Sequence, residues 1–319
     1  MLKRGIRWAL VIEAIVYLAI GWCLYVQGWS ILGLISSAVV LFFALRLLIV
    51  LFSFLLSMAC RSSRPRHLTV RGWPWLRALL LEWLMTLRWY SLWQAFPDRF
   101  VREPAPPTGD ARPMPVLLVH GYLCNAAAWS FYQRWFQERG RPAYTISLEP
   151  VLGSIESMID GLEHRIAEVL AASGASELDI VAHSMGGVVV RTLLRRRPHA
   201  KGIRGVVTLG SPHHGTMLAR LAFGQCGHEL RYESSWFKQL NDAQPAAPDL
   251  PGGFTSIYTY DDNLVAPQET SRFEGAENIG ISGVGHASLL GSRAVFDMVV
   301  DRLAAGESGR AMQGMPSRL

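Results

Sequence analysis

Two long runs of apolar residues begin the chain. Residues 8–26 contain one charged residue, Glu13, and residues 31–60 contain one, Arg46. A helix needs about 20 apolar residues to cross a bilayer, so both runs are long enough, and residues 1–61 are predicted to form a transmembrane helical hairpin. A cleaved signal peptide is the alternative for the first run, but that run is too long and no small-residue cleavage site follows it. The two charges are costly at membrane depth unless they pair or reach the interface, and antiparallel helices allow either.

The next segment, residues 62–103, mixes tryptophans and leucines with isolated charges, among them Arg77, Glu82 and Arg88. This mixture favours the headgroup layer, so we predict an amphipathic helix lying along the bilayer interface. A helix packed against the domain that follows is the alternative. Residues 104–115 contain five prolines, which indicate a stiff, extended linker and a domain boundary.

From residue 116 onward, short apolar runs alternate with amphipathic ones. Strands are predicted at residues 116–119, 143–148, 177–182, 203–209, 255–260 and 278–282. Helices are predicted at 126–139, 155–172 and 287–303, and a helical run at 188–194 belongs to a helix that ends at residue 197. Such alternation predicts an α/β domain over residues 116–305, with a mostly parallel sheet covered by helices on both faces. Residues 216–253 interrupt it, and we expect them to form a helical cap that could gate the site; a structural excursion without gating is the alternative. Residues 306–319 are predicted to be a flexible tail.

Charge is distributed unevenly along the chain. Residues 1–103 contain 12 Lys and Arg against 4 Asp and Glu, and the remainder contains 19 against 21. Because the basic excess is confined to the flanks of the apolar runs, it indicates membrane topology rather than a nucleic-acid partner. Basic residues precede the first run and follow the second, with none in the turn, so both ends are expected to face the cytoplasm. The four scattered cysteines suggest neither zinc nor disulfides, and no metal or cofactor is predicted.

Ser184 stands where a strand-like run ends and a helix-like run begins. Ala182, Gly186 and Gly187 surround it, and small residues at these positions let a strand and a helix approach closely in a sharp turn. Such a turn exposes the serine hydroxyl, which makes Ser184 a candidate nucleophile. The alternative is an ordinary turn without chemistry.

An acid and a histidine follow the last two predicted strands. Asp261 and Asp262 come after one strand, and His286 comes after the next. The carboxyl ends of parallel strands share one edge of a sheet, so these groups are expected near Ser184 in the chain order Ser, Asp, His. His286 would be the general base, and Asp262 is preferred over Asp261 as the acid that orients it.

An oxyanion hole requires two backbone N–H groups beside the nucleophile, and we select those of Tyr122 and Met185. Gly121 follows the first strand and permits the close approach. Three further histidines are assigned to substrate binding and shaping of the site: His120, His183 and His213. For His120, a structural role in holding its loop is favoured over a role as base.

These motifs together resemble the α/β-hydrolase fold, and within it the bacterial lipases. The resemblance covers residues 116–304, and the alanine before the nucleophile with the ending Gly283-Val284-Gly285-His286 is most similar to the small Bacillus-type lipases. It implies a triad of Ser184, Asp262 and His286 with oxyanion donors Tyr122 and Met185. The hairpin and the long insertion depart from those lipases, which are secreted and almost lidless. Ser184 in place of cysteine counts against the related polyester synthases.

The resulting hypothesis is a membrane-anchored serine hydrolase that cleaves esters of hydrophobic acyl groups. Its expected partners are lipid-like substrates and the bilayer, and its expected location is the bacterial inner membrane with the catalytic domain on the cytoplasmic side. A thioesterase, amidase or acyltransferase would use the same residues. A catalytically inactive, membrane-tethered binding module is the alternative outside enzymology, and it predicts no covalent labelling of Ser184.

Overall fold

A computed structural model describes residues 1–105, 113–197 and 202–313, with side chains to residue 305. The chain opens with two long helices, α1 (Leu2–Val26) and α2 (Ile31–Ala59), and both are long and apolar enough to cross a membrane. The Ser30 hydroxyl caps α2 by accepting a hydrogen bond from the Gly33 N–H. Between the helices, the Arg46 guanidinium binds the Glu13 carboxylate through two hydrogen bonds of 2.7 Å. The two charged residues within the apolar runs of the hairpin therefore pair with each other.

Helix α3 (Trp73–Arg88) and the π-helical turn after it (Trp89–Trp93) lie between the hairpin and the rest of the chain. Leu79 of α3 packs against Val50 and Phe54 of α2. On its other side, Met85 and Trp89 enter the hydrophobic core beneath the sheet. The sequence allowed either a helix lying along the bilayer interface or a helix packed against the following domain. These contacts agree with the packed helix.

Six parallel strands form one sheet in the order β2-β1-β3-β4-β5-β6. They are β1 (Val116–Val119), β2 (Ala143–Ile146), β3 (Leu178–His183), β4 (Ile203–Leu209), β5 (Phe254–Thr259) and β6 (Glu277–Ile281). Burial on both faces explains why the central strands are continuous apolar runs rather than alternating ones.

Helices cover both faces of the sheet. Those described there are α4 (Ser130–Glu138), α5 (Ile159–Ser173), α6 (Met185–Arg196) and α9 (Arg293–Gln313). Successive residues of a strand point to opposite faces of the sheet. In β1, Leu117 packs in the core with α5 and α6, whereas Leu118 packs in the core with α4 and α9. Helix α3 packs on the second face, beside α9 and α4.

The insertion between β4 and β5 is helical and contains a 3₁₀ turn (Met217–Leu221), α7 (Gly224–Glu229) and α8 (Ser235–Ala243). Phe237 and Leu240 of α8 are buried against the sheet domain. The Arg191 guanidinium of α6 donates to Gln244 O at 2.7 Å and to Asn241 Oδ1 at 2.9 Å, which fixes the end of the insertion.

The observed strands begin and end within two residues of the predicted bounds. Helices α4, α5 and α9 begin four to six residues later than predicted, because each follows a 3₁₀ turn at the predicted start (Ala126–Trp129, Ile155–Met158 and Ala287–Gly291). The backbone of α9 continues to Gln313, so residues 306–313 extend the helix instead of starting the predicted tail. Residues 314–319 of that tail and residues 106–112 of the predicted proline-rich linker lie outside the described part of the chain.

Candidate active site

Ser184 occupies the single residue between β3 and α6. Its backbone has φ 55° and ψ −130°, a strained conformation for a residue with a Cβ atom. The following helix approaches so closely that a Cβ on Gly186 would lie 2.5 Å from both Val119 O and His120 O. Gly186 is therefore required by the close packing of α6 on the end of β1. A Cβ on Gly187 would lie 2.1 Å from Ser211 Oγ, so this glycine lets α6 approach the end of β4.

The loop after β1 touches the serine directly. A Cβ on Gly121 would lie 2.7 Å from Ser184 Cβ and 3.2 Å from its Oγ, so only glycine lets this loop come so near. The next residue is Tyr122, and its hydroxyl donates to Phe223 O at 2.7 Å and accepts from Phe223 N at 3.1 Å. The side chain of Tyr122 thereby ties this loop to the cap.

Met185 is the first residue of α6, so its backbone N–H has no acceptor within the helix. The partial positive charge of a helix N-terminus also favours an anion there. The structure thus places both predicted oxyanion donors beside Ser184, Met185 as its neighbour in the chain and Tyr122 through Gly121.

Asp262 and His286 form a buried pair at the ends of neighbouring strands. His286 Nδ1 donates to Asp262 Oδ2 at 2.8 Å, and both side chains are almost fully buried. The other oxygen of Asp262 accepts the backbone N–H groups of Leu264 at 2.8 Å and Val265 at 2.7 Å. Because Nδ1 carries the proton, Nε2 of His286 keeps a free lone pair.

Asp261 points away from the histidine. Its carboxylate binds the Arg64 guanidinium at 2.7 Å and accepts the Gly283 N–H at 2.7 Å. The structure therefore agrees with the choice of Asp262 over Asp261 as partner of His286.

The pair and the serine meet at the carboxyl edge of the sheet. Gly210 follows β4, the strand between β3 and β5, and a Cβ there would lie 3.1 Å from Asp262 Oδ2 and 3.3 Å from His286 Nδ1. The ring of His183, adjacent to Ser184, lies 4.5 Å from the ring of His286. Within the described chain, no hydrogen bond joins Ser184 Oγ to His286 Nε2; in enzymes without substrate such bonds are often long and tighten on binding.

Electrostatic effects on His286 oppose one another. Burial lowers its pKa, but the charge of Asp262, the hydrogen bond to it and the charge of Glu82 outweigh burial, so the pKa of His286 lies above its ordinary value. The raised pKa makes the His286 imidazole a stronger base toward the serine proton.

The three histidines assigned to substrate binding are all buried. His120 Nε2 accepts the Leu148 N–H at 2.9 Å, and its Nδ1 donates to Gly121 O at 2.9 Å. Burial lowers the pKa of His120 to about 4, so the ring stays neutral. Its position fits the structural alternative, because it holds the loop that carries Gly121.

His183 Nε2 donates to the carbonyl oxygen of His286 at 3.1 Å, and burial lowers its pKa well below the ordinary value. It thus supports the backbone of the candidate base. His213 is fully buried, stacks on Phe273 and is hydrogen-bonded to Thr208, so it is a core residue. Neighbouring side chains enclose its ring, and its assignment to substrate binding stays a prediction.

Sequence reasoning missed a group of residues that hold two loops: the acid loop, which follows β5 and carries Asp262, and the base loop, which follows β6 and carries His286. Asn263 Oδ1 accepts the His286 N–H at 3.1 Å, and the carboxylate of Glu82 in α3 accepts the N–H groups of the two residues after His286. Glu82 was visible as a lone acid in a helix of tryptophans and leucines. Its burial depends on contacts 200 residues away, which a local pattern does not reveal.

Comparison with known proteins finds partial matches to one family model and to two lipases. A family model described as a domain of unknown function (DUF7379) matches residues 145–223. Triacylglycerol lipases of Pseudarthrobacter phenanthrenivorans and Burkholderia plantarii are each 28% identical over 118 residues, which is 33% of this chain and 35% and 31% of theirs. The match therefore spans about a third of the length of these relatives.

Solved structures extend the likeness to the fold. The mature lipase BlEst2 of Bacillus licheniformis has a TM-score of 0.54 and 20% identity, covering 63% of this chain and 96% of that one. Lipase B of Aspergillus fumigatus has a TM-score of 0.55 and 19% identity, covering 67% and 58%. The chain has the α/β-hydrolase fold, as the sequence predicted.

Proposed function

We propose that this chain, whose α/β-hydrolase fold the preceding geometry and comparisons establish, is a membrane-anchored serine hydrolase acting on esters of hydrophobic acyl groups. The observation that carries the proposal is the buried hydrogen bond between His286 Nδ1 and Asp262 Oδ2, at the same sheet edge as the strained Ser184 turn. Strain of this kind persists where the surrounding structure enforces it, typically at functional sites.

In the proposed reaction, Ser184 Oγ attacks the ester carbonyl carbon while its proton passes to His286 Nε2. Asp262 stabilises the imidazolium, and the N–H groups of Tyr122 and Met185 bind the carbonyl oxygen as it becomes negative. The C–O bond to the alcohol then breaks, and the alcohol leaves with the proton from Nε2. Water attacks the acyl-enzyme by the same route, releasing the carboxylic acid and restoring the Ser184 hydroxyl.

The surroundings of Ser184 favour a hydrophobic acyl group. The ring of Phe223 contacts the ring of Tyr122, one of the proposed oxyanion donors, and Leu264 lies two residues from Asp262. Both side chains are exposed, and so is Leu221 of the insertion between β4 and β5. Exposed large apolar side chains grouped around a site favour apolar ligands. The triacylglycerol lipases that match this chain support the same substrate class.

The chain length of the acyl group is the first quantity to measure. For the full-length protein in bilayers, we expect kcat/KM on p-nitrophenyl esters to rise by about tenfold or more from two to eight acyl carbons, because each buried methylene contributes up to about 0.8 kcal/mol. Matched thioesters, amides and alcohol acceptors form the control panel. Faster cleavage of a thioester or an amide than of the best ester would assign the site to a thioesterase or an amidase instead. Faster transfer of the acyl group to an alcohol than to water would assign it to an acyltransferase.

We further propose that α1 and α2 anchor the protein in the bacterial inner membrane, with both ends in the cytoplasm. The basic residues Lys3, Arg4, Arg61 and Arg64 flank the hairpin on one side only. A C-terminal alkaline phosphatase fusion, active only outside the cytoplasm, is expected to be inactive, and a C-terminal green fluorescent protein fusion to fluoresce. The reverse pattern would place the catalytic domain outside.

A further inference from the structure

The acid loop is held from below by α2. Ser57 Oγ of α2 donates to the backbone carbonyl oxygen of Asp262 at 2.5 Å. The same hydroxyl accepts from Gln268 Nε2 at 2.9 Å, and Gln268 Nε2 also lies 3.1 Å from Asp262 O. Ser57 and Gln268 are buried, so these bonds are shielded from water. The peptide of the candidate acid therefore rests on the end of a helix of the hairpin.

A second chain of hydrogen bonds reaches the base. Ser53, one helical turn before Ser57, accepts from Asn263 Nδ2 at 2.8 Å. Asn263 in turn accepts the His286 N–H through its Oδ1 at 3.1 Å. One amide side chain thus connects α2 to the backbone of the histidine.

Glu82 makes a third connection, through a charged group. Its carboxylate is 1% exposed, and its two oxygens accept the N–H groups of Ala287 at 2.7 Å and Ser288 at 2.8 Å. These N–H groups begin the 3₁₀ turn (Ala287–Gly291) that follows His286, so Glu82 caps that turn from another part of the chain. Charge-assisted bonds of this kind in a buried setting fix geometry tightly.

We propose that Glu82 is a positioning residue for His286, and that α2 and α3 together hold the acid and base loops in their reactive arrangement. The segment that precedes the α/β-hydrolase domain is then part of the active-site scaffold in addition to its role at the membrane. This inference rests on the proposed function, because it assigns His286 the role of base.

The charge of Glu82 supplies a signature that a merely structural cap lacks. Among the described residues, Asp262, Glu82 and His183 interact electrostatically with His286, and burial lowers the pKa of His183 so that it is neutral. A negative charge stabilises the imidazolium, so Glu82 helps to hold the pKa of His286 above its ordinary value. Burial raises the pKa of Glu82 itself, and its two backbone hydrogen bonds oppose that rise. Removing the charge should therefore lower the pKa of His286.

The test is Glu82→Gln in the full-length protein, measured on a soluble short-chain p-nitrophenyl ester. We expect kcat to fall about 10- to 100-fold with KM unchanged, because a small misplacement of the base costs rate rather than binding. The acidic limb of the kcat/KM profile should also move to lower pH, since a base of lower pKa stays neutral in more acidic solution.

Glu229→Gln is the matched control. The Glu229 carboxylate is also largely buried and accepts from Ser154 Oγ and Ile155 N, each at 2.7 Å, at the start of another 3₁₀ turn (Ile155–Met158). Glu229→Gln should lower the melting temperature while leaving kcat and the pH profile unchanged. Equal losses of kcat in the two variants, or an unmoved profile in Glu82→Gln, would overturn the proposal.

The role of α2 is tested separately. Ser57→Ala should slow labelling of Ser184 by a fluorophosphonate several-fold. Ser37→Ala should not, because Ser37 Oγ donates to Gly33 O within α2 and, in the described part of the chain, not to the acid loop. Equal labelling rates would remove α2 from the scaffold.

Nuclear magnetic resonance titration of His286 gives a readout that needs no turnover. A lower pKa in Glu82→Gln than in Glu229→Gln supports the positioning role even if no ester is cleaved, and equal pKa values reject it. Absence of both hydrolysis and labelling in the wild type would instead reject the proposed function.

Discussion

Replacing Ser184 with alanine is expected to lower kcat for ester hydrolysis by about 10⁶-fold, the scale seen when a nucleophile that acts as one unit with its base is removed. Without the hydroxyl no acyl-enzyme forms, and His286 has no serine proton to accept. The fold should be little affected, because alanine has the same backbone preference as serine at φ 55° and Ser184 Oγ has no hydrogen-bond partner within the described chain. Labelling by a fluorophosphonate and the melting temperature measure the two effects together.

Ser211→Ala is the control for this change. Ser211 follows β4, close to the turn that carries Ser184, but it is fully buried and packs against Gly187. Its loss should leave both hydrolysis and labelling near the wild-type level. If Ser184→Ala were still labelled, or hydrolysed esters as fast as the wild type, the nucleophile would be another residue and the proposed mechanism would fail.

The architecture of the α/β domain was predictable, because short apolar runs and glycines along the sequence mark the same strands and close approaches that the folded sheet requires. Runs such as residues 116–119 and 203–209 are too short and too apolar for surface helices, and the glycines at 121, 186 and 187 mark close approaches of backbone to backbone. Parallel strands also present their carboxyl ends at one edge. The order of Ser184, Asp262 and His286 along the chain was therefore enough to predict which residues the fold brings to that edge.

The segment at residues 62–103 was less predictable, because its pattern is compatible with both a bilayer interface and a protein core. Tryptophans and leucines suit a bilayer interface and a protein core equally well. Only the structure shows that Met85 and Trp89 enter the core while Trp73 and Leu92 stay exposed. The role of Glu82 escaped for the same reason, since its hydrogen-bond partners lie 205 and 206 residues later.

The histidines illustrate a further limit of sequence reasoning. His120, His183 and His213 all stand beside motif residues, and such proximity suggested contact with substrate. In the structure each ring is buried and its pKa is lowered, so it is neutral and forms hydrogen bonds within the protein, and contact with substrate stays a prediction. Two of them nevertheless serve the site indirectly, His120 through the loop of Gly121 and His183 through the backbone of His286.

Asp262→Asn is expected to lower kcat by about 10⁴-fold with little change in KM, a loss typical of an acid that orients a catalytic histidine. The structure explains why the amide cannot substitute. The N–H groups of Leu264 and Val265 both donate to Oδ1, so they would hold the amide oxygen on their side and turn its NH₂ group toward His286 Nδ1. A donor there favours the tautomer with the proton on Nε2, which cannot accept the serine proton.

Asp261→Asn is the matched comparison, one residue away. Asp261 binds Arg64 and the Gly283 N–H, so its replacement breaks a buried ion pair and should lower the melting temperature. Since Asp261 does not contact the His286 ring, kcat should fall less than about tenfold, the scale of an indirect effect of about 1.4 kcal/mol. Single-turnover kinetics and the titration of His286 separate the variants: Asp262→Asn should lower the pKa of His286, and Asp261→Asn should leave it unchanged. The opposite ranking would make Asp261 the acid of the triad, and the 2.8 Å bond between Asp262 and His286 would then be structural.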